Sequence, residues 1–221
     1  DELIFTSGAT EANNFIVKGI AEHLKRAKKT KIITSSIEHK CVLSCFEYLG
    51  SNGFEVIYLQ PNADGTINPE RLQNAIDEFT GLVSVMLVNN EIGTVQPVAE
   101  LAAIAHEYGA LFHTDAAQAP IFTKIDTGDL GADMISFSSH KIYGPKGIGA
   151  AYIKRDIKDR LTPLIHGGGQ EDGLRSGTLP TALCVGFGEA FSYVAADAES
   201  NKDKFQRLSA LFLEELKKKI P

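Results

Sequence analysis

Lys141 stands in the run Ser138-Ser139-His140-Lys141-Ile142-Tyr143-Gly144-Pro145-Lys146-Gly147, directly after the apolar segment Asp133-Met134-Ile135-Ser136-Phe137. An amine delivered by the end of a buried strand into a turn of hydroxyls, an imidazole and glycines is placed to react. Such a turn suits an aldehyde cofactor that also carries a phosphate. Twenty-six positions upstream, a second apolar run, Ala110-Leu111-Phe112-His113, delivers Asp115 and Gln118 in the same way. A carboxylate that keeps a pyridine nitrogen protonated and an amine that captures an aldehyde are the two groups pyridoxal phosphate requires.

The elements that must position these residues follow from the hydrophobic pattern. Short apolar, β-branched runs recur at Leu3–Thr6, Lys31–Ser35, Phe54–Leu59, Leu82–Val88, Ala110–His113, Asp133–Ser138 and Ile148–Ile153. Stretches with a period of 3.6 lie between most of them, at Ala9–Arg26, Lys40–Gly50, Pro69–Phe79 and Val98–Tyr108, followed by two long helices, Thr181–Ala198 and Lys202–Lys219. Strands joined through helices of that length pair in parallel by crossovers. The expected fold is an α/β three-layer α/β/α sandwich on a mostly parallel seven-stranded sheet. Pro69 at a helix start and Gly109 just past a helix end support the boundaries. Asn62–Gly65 and Gly128–Ala132 read as loops.

In an open parallel sheet, ligands bind beyond the carboxyl ends of the strands. Five of the predicted strands end in polar motifs. Leu3–Phe5 runs into Thr6-Ser7-Gly8-Ala9-Thr10-Glu11, a small-residue turn opening a helix, which is either a phosphate site or a plain cap by Thr6 or Ser7. The others are Ile37-Glu38-His39-Lys40, Asn89-Asn90-Glu91-Ile92-Gly93, Asp115 with Gln118, and Ser138, His140 and Lys141. Taken singly, His39 is more often a surface or capping residue, Asn90 a turn residue and Asp115 a cap. Their recurrence at successive strand ends points to one site. Gly144–Gly149 lacks the Gly-Lys-Ser/Thr ending of a nucleotide loop and does not follow the dinucleotide pattern, so ATP and NAD are disfavoured.

Bulk properties narrow the class. Forty-three per cent hydrophobic and 23% charged residues are ordinary for a globular domain. A net charge of −6 provides no field to draw nucleic acid or an anionic membrane, so neither is expected as a partner. The basic run Lys25–Lys31 reads as a solvated helix end. Cys41, Cys45 and Cys184 form no metal-ligand spacing, no metal is expected, and their number suits a reducing compartment. Cys41 and Cys45 share a helical face, as small buried side chains or as a thiol pair. No 18-residue apolar run and no signal-peptide pattern occur, giving a cytoplasmic or organelle-matrix expectation. The chain begins at Asp1 on an apolar strand and stops at Ile220-Pro221 on a charged helix, which reads as the edges of a fragment.

Six motifs occur in order: Thr-Ser-Gly-Ala-Thr-Glu, Glu-His-Lys, Asn-Asn-Glu-Ile-Gly, Asp-Ala-x-Gln, Ser-x-His-Lys-Ile-Tyr-Gly-Pro-Lys-Gly-Ile-Gly and Arg-Ser-Gly-Thr-Leu-Pro. With them the chain resembles the cysteine desulfurases of the NifS/IscS type, relatives of the class V aminotransferases with the pyridoxal phosphate fold-type-I large domain. The resemblance implies Lys141 as the Schiff-base lysine, Asp115 as the pyridine-nitrogen partner and Gln118 at the ring hydroxyl. It implies His39 stacked on the ring and available for proton transfer, Ala9, Thr10, Ser138 and His140 as phosphate contacts, and Asn90 near the ring hydroxyl and substrate carboxylate. Thr178 is similar to a residue that reaches the phosphate in the neighbouring subunit, implying a homodimer with shared active sites.

The implied reaction converts L-cysteine to L-alanine and leaves sulfur on an enzyme cysteine as a persulfide, for an iron-sulfur scaffold or another sulfur acceptor protein. Residues 1–198 then read as the large domain without its early part, and 199–221 as a helix toward a small domain. The family's persulfide cysteine loop and its substrate-binding arginine match nothing here, so the segment is expected to be inactive alone. A selenocysteine lyase and an inert remnant or scaffold are the alternative readings. Ser139 replaces the glycine common in the family's Ser-Gly-His-Lys, a change the turn is expected to tolerate.

Overall fold

A computed structural model describes residues 2–220; Asp1 and Pro221, the expected edges of the chain, lie outside the described residues. Seven strands form one sheet: β1 (Leu3–Thr6), β2 (Lys31–Ser35), β3 (Glu55–Leu59), β4 (Thr80–Ser84), β5 (Leu111–Asp115), β6 (Met134–Ser138) and β7 (Gly149–Ile153). Their spatial order is β1-β7-β6-β5-β4-β2-β3. β2 to β6 pair in parallel, while β7 runs antiparallel between β1 and β6. The expected mostly parallel seven-stranded sheet is thus present, and β1, β2, β4, β5 and β6 all end at the same edge.

Alternation along the strands builds a core on each face. Ile32, Leu82, Met134 and Ala151 point to one side, packing against α1 (Ala9–Gly19) and α3 (Lys40–Gly50). Their neighbours Ile33, Val83, Ile135 and Ala150 point to the other, toward α4 (Pro69–Ala75), α5 (Val98–Glu107) and α7 (Thr181–Lys219). With both faces covered, every residue of β4 and β6 is buried, without the alternation of a half-exposed strand.

Several boundaries differ from the sequence expectation; the expected Pro69–Phe79 helix, for one, stops at Ala75, where Ile76 is extended. The first predicted helix divides at Ile20 into α1 and α2 (Ala21–Arg26), where the Gly19 carbonyl accepts from Thr162 N–H at 2.9 Å. The expected Leu82–Val88 strand pairs with β2 only to Ser84. Val85 and Leu87 still donate to His113 and Asp115 on the β5 side, but Met86 N–H turns to the Glu38 carboxyl at 2.9 Å. The Gly128–Ala132 loop contains a short helix, α6 (Thr127–Leu130), capped by Asp126. The two expected C-terminal helices are one, α7, within which Asn201 sends its side-chain amide to Ile121 O at 3.1 Å.

Candidate active site

The common strand edge opens into a cleft of about 480 Å³. Every residue expected at the site except Thr178 lines it: Ala9 and Thr10 from α1, His39 before α3, Asn90 after β4, Asp115 and Gln118 after β5, and Ser138, His140 and Lys141 after β6. Thr178 is exposed just before α7 and outside this cleft in the single chain.

The turn that opens α1 is shaped by two glycines. Gly8 has φ 150° and ψ 178°, a conformation reserved for glycine. A Cβ on Gly149 would sit 2.6 Å from Gly8 Cα and 2.5 Å from Phe137 O, so the start of β7 has room beside this turn only without a side chain. Neither Thr6 nor Ser7 caps the helix; Gly8 is the N-cap, with no side-chain bond to the first turn. Glu11 takes the Ser7 N–H at 2.8 Å and is itself held by Arg175 Nε at 2.8 Å. The acid is thereby neutralised, and the amides of the first turn remain open to an anion. Across the gap, Ser138 Oγ and His140 Nδ1 lie 3.1 Å apart.

Asp115 forms the floor. It is buried, accepting from Ala117 N–H at 2.9 Å and from Asn13 Nδ2 at 2.6 Å. Among the described residues no cation bonds to it, and desolvation raises its pKa despite those two donors and the weaker pull of His39 and Lys141. A buried carboxylate in that state is poised to receive a positive ligand group. Lys141 closes a 3-10 turn, Ser139–Lys141, and is exposed to the cleft without a hydrogen bond or ion pair among the described residues.

Residues the motif reading left without a role surround this set. Asn13 reaches both Asp115 and Cys41, and Cys41 Sγ lies 2.9 Å from His39 Nδ1. Glu38 is fully buried and binds Ser35 Oγ and Met86 N–H through one oxygen, while its other oxygen has no partner. Burial pushes its carboxyl up to about 8. Asn89 accepts from Glu91 and Ile92 N–H and donates to Ile37 O, which sets the turn carrying Asn90. The signal for Asn13 was available: it falls on the apolar face of α1 with Ile16 and Ile20, where a polar side chain needs a partner.

Ser139 fits its turn beside Gly144, where any Cβ would strike Ser139 Oγ. The hydroxyl is buried without a partner, so the turn accommodates it at a cost. Cys41 and Cys45 are free thiols. Cys45 is buried as expected, while Cys41 is only half-buried and faces the cleft. Among the described residues no cluster of metal-binding side chains occurs, and no helix is long and apolar enough to cross a membrane.

The profile of the Aminotransferase class-V family matches residues 1–220. The chain is 49% identical over 221 residues to the cysteine desulfurase IscS of Ehrlichia chaffeensis, covering 100% of this chain and 54% of that one. It is 50% identical over 208 residues to the mitochondrial cysteine desulfurase of Candida maltosa, covering 94% and 43% respectively. The chain thus spans about half the length of the curated relatives it matches. A solved NifS-like protein superposes with a TM-score of 0.93 at 39% identity, over 98% of this chain and 59% of the other. The structure of SspA in complex with cysteine matches with a TM-score of 0.82 at 50% identity, over 86% and 55%.

Proposed function

The chain belongs to the aminotransferase class-V family, and on that premise we propose that it is the pyridoxal phosphate-binding portion of a cysteine desulfurase. The reading rests on one observation: Asp115, Lys141, His39 and the Gly8–Thr10 turn meet in a single cleft. Its support is the similarity of nearly the whole chain to cysteine desulfurases.

The donor set suits the cofactor. Asp115, buried without a cation, takes a protonated ring nitrogen. The first-turn amides at Ala9 and Thr10, with Ser138 and His140, take the phosphate. Lys141 Nζ, unpartnered, takes the aldehyde. When bound, pyridoxal phosphate supplies an electrophilic carbon and a ring that draws electrons from the substrate.

Around it, this chain's side chains bind, orient and move protons. Lys141 Nζ would hold the cofactor's aldehyde carbon and is placed to carry a proton at the substrate α-carbon. His39, on the cleft wall, would pack against the cofactor ring and could exchange a proton with the substrate. Gln118 and Asn90 orient the ring hydroxyl and the substrate carboxylate by amide donation. Thr178, outside its own cleft, contributes to the phosphate site of a second copy in a homodimer with shared sites.

The substrate is L-cysteine, the carbon product L-alanine, and the sulfur passes to a cysteine thiolate as a persulfide bound for an iron-sulfur scaffold or other acceptor. That thiolate is none of Cys41, Cys45 and Cys184. Burial raises all three thiols, Cys45 to about 12, and so suppresses the nucleophilic form. Residues 1–198 are the cofactor domain and 199–221 a helical lead toward a smaller domain, consistent with the exposure of α7 from Lys202 onward. The compartment is cytoplasm or organelle matrix, in keeping with bacterial and mitochondrial relatives.

Titrating the 221-residue protein with pyridoxal phosphate tests the reading. A visible absorption band is expected in the parent and lost in Lys141→Ala, with no sulfide released from L-cysteine. A parent that develops no band refutes the cofactor assignment, and robust sulfide release refutes the exclusion of the three cysteines.

A further inference from the structure

One hydrogen-bonded series in the cleft joins residues to which neither the lysine nor the acid assigns a task. Asn13 is buried on α1, and its Nδ2 lies 2.6 Å from Asp115 Oδ2 and 3.2 Å from Cys41 Sγ. An amide nitrogen carries two hydrogens, so both contacts are donated together. Turning the amide over would set its oxygen against the Asp115 carboxylate. The observed orientation is therefore held, although it leaves Asn13 Oδ1 buried without a partner.

Beyond Cys41 the series continues to His39. The Cys41 backbone N–H donates to His39 Nδ1 at 3.2 Å, and Cys41 Sγ lies 2.9 Å from the same nitrogen. A backbone amide cannot reverse its role, so Nδ1 must present a lone pair. In the neutral ring the proton then resides on Nε2. The thiol, which accepts from Asn13 and also bonds with the Thr10 side chain, is held in its S–H form by burial and shares the Nδ1 lone pair with the backbone amide. No hydrogen bond among the described residues engages Nε2, which leaves it for whatever enters the cleft.

We propose that Asn13 and Cys41 are positioning residues that tie the Asp115 carboxylate to the His39 imidazole and hold that imidazole with its proton on Nε2. The inference deepens the cofactor reading and rests on it for its consequence: His39 meets an incoming substrate as a hydrogen-bond donor. The two ends of the series, the acid on the cleft floor and the imidazole at its wall, are set by one buried amide. A small side chain with a polarisable donor at position 41 fits between them, whereas an aliphatic one would interrupt the series.

Nitrogen-resolved NMR of histidine-labelled, cofactor-free protein reads the tautomer directly, with His39 assigned by the signal missing from His39→Gln among the six histidines. The parent is expected to carry the hydrogen on Nε2. Cys41→Ala removes one donor and lowers the ratio of the two tautomers about fivefold, the size of one net hydrogen bond, while Cys41→Ser restores it. A proton on Nδ1 in the parent overturns the proposal, as does an unchanged ratio in Cys41→Ala. The measurement needs no cofactor. A tautomer held as expected in a protein that shows no visible band with pyridoxal phosphate upholds this inference about the residues and sinks only the cofactor reading.

Discussion

Two aspartates at opposite edges of the sheet are equally buried, at 5% exposure, and live in opposite circumstances. Asp133 precedes β6 at the edge away from the cleft. It accepts from Phe112 N–H at 2.8 Å, faces His106 Nε2 at 2.8 Å and has Lys154 Nζ at 3.8 Å. Asp115 ends β5 at the cleft edge with two neutral donors and no cation. The first carboxylate is balanced within the chain and fastens strand starts together. The second has its balance left open, which is what a ligand-binding group requires and a structural one avoids.

The largest expected effect separates the two by ligand. Asp115→Ala should weaken pyridoxal phosphate binding about 100-fold, the range for truncating one member of a buried charge pair. Glu91→Ala, at the exposed rim, should leave it close to the parent value. Equal affinities in an absorbance titration would break the distinction between floor and rim. The next effect separates them by stability. Asp133→Ala should destabilise the cofactor-free fold by about 2 kcal/mol, since a buried amide loses its acceptor. Asp115→Ala, which also removes an uncompensated charge, should cost less. Equal losses in urea unfolding would mean that Asp115 is a structural anchor after all.

The smallest effect concerns pH and contrasts the cleft edge with the sheet interior. Glu38 is raised from 4.5 to about 8 by burial, so the folded chain binds a proton that the unfolded chain releases. Its contribution is complete below pH 4.5 and disappears as pH rises through about 8. Between pH 7 and pH 9 stability should fall by about 1 kcal/mol, and Glu38→Gln should abolish that loss. His113, enclosed between Ser84 and Ser136, is lowered from 6.5 to about 3 by burial, so its contribution holds above pH 6.5 and fails toward acid. An alkaline decline that persists unchanged in Glu38→Gln would place the titrating group elsewhere.

Much of the site could be read from spacing, because the residues that line it follow strands in the chain. Ser138, His140 and Lys141 come after one apolar run, and Asp115 and Gln118 after another. In a parallel sheet the end of each strand is at the same edge, so sequence order already predicts convergence. Where the sequence fell short, the contact crosses layers. Asn13 was hidden in the middle of a helix, and only the packing of α1 over β5 shows that its amide meets Asp115. Cys41 read as a packing residue or half of a thiol pair because it shares a helical face with Cys45; it lies one turn before Cys45, at the helix start that faces the cleft. Glu38 stood in a recognisable motif, yet its use as a surrogate strand partner for Met86 depends on where β2 stops.

The sequence by itself determined the class of fold, the polar edge of the sheet and nine of the seventeen residues that line the cleft. Those properties follow from periodicity and from which side chains are placed after which strand, both of which are local. Only the tertiary structure decided that Asp115 lacks a cation while Asp133 has partners, that Thr178 stands outside the cleft of its own chain, and that Asn13 and Cys41 connect Asp115 to His39. Charge balance and hydrogen-bond direction depend on distances between segments 102 and 164 residues apart, and such distances are set by packing rather than by pattern.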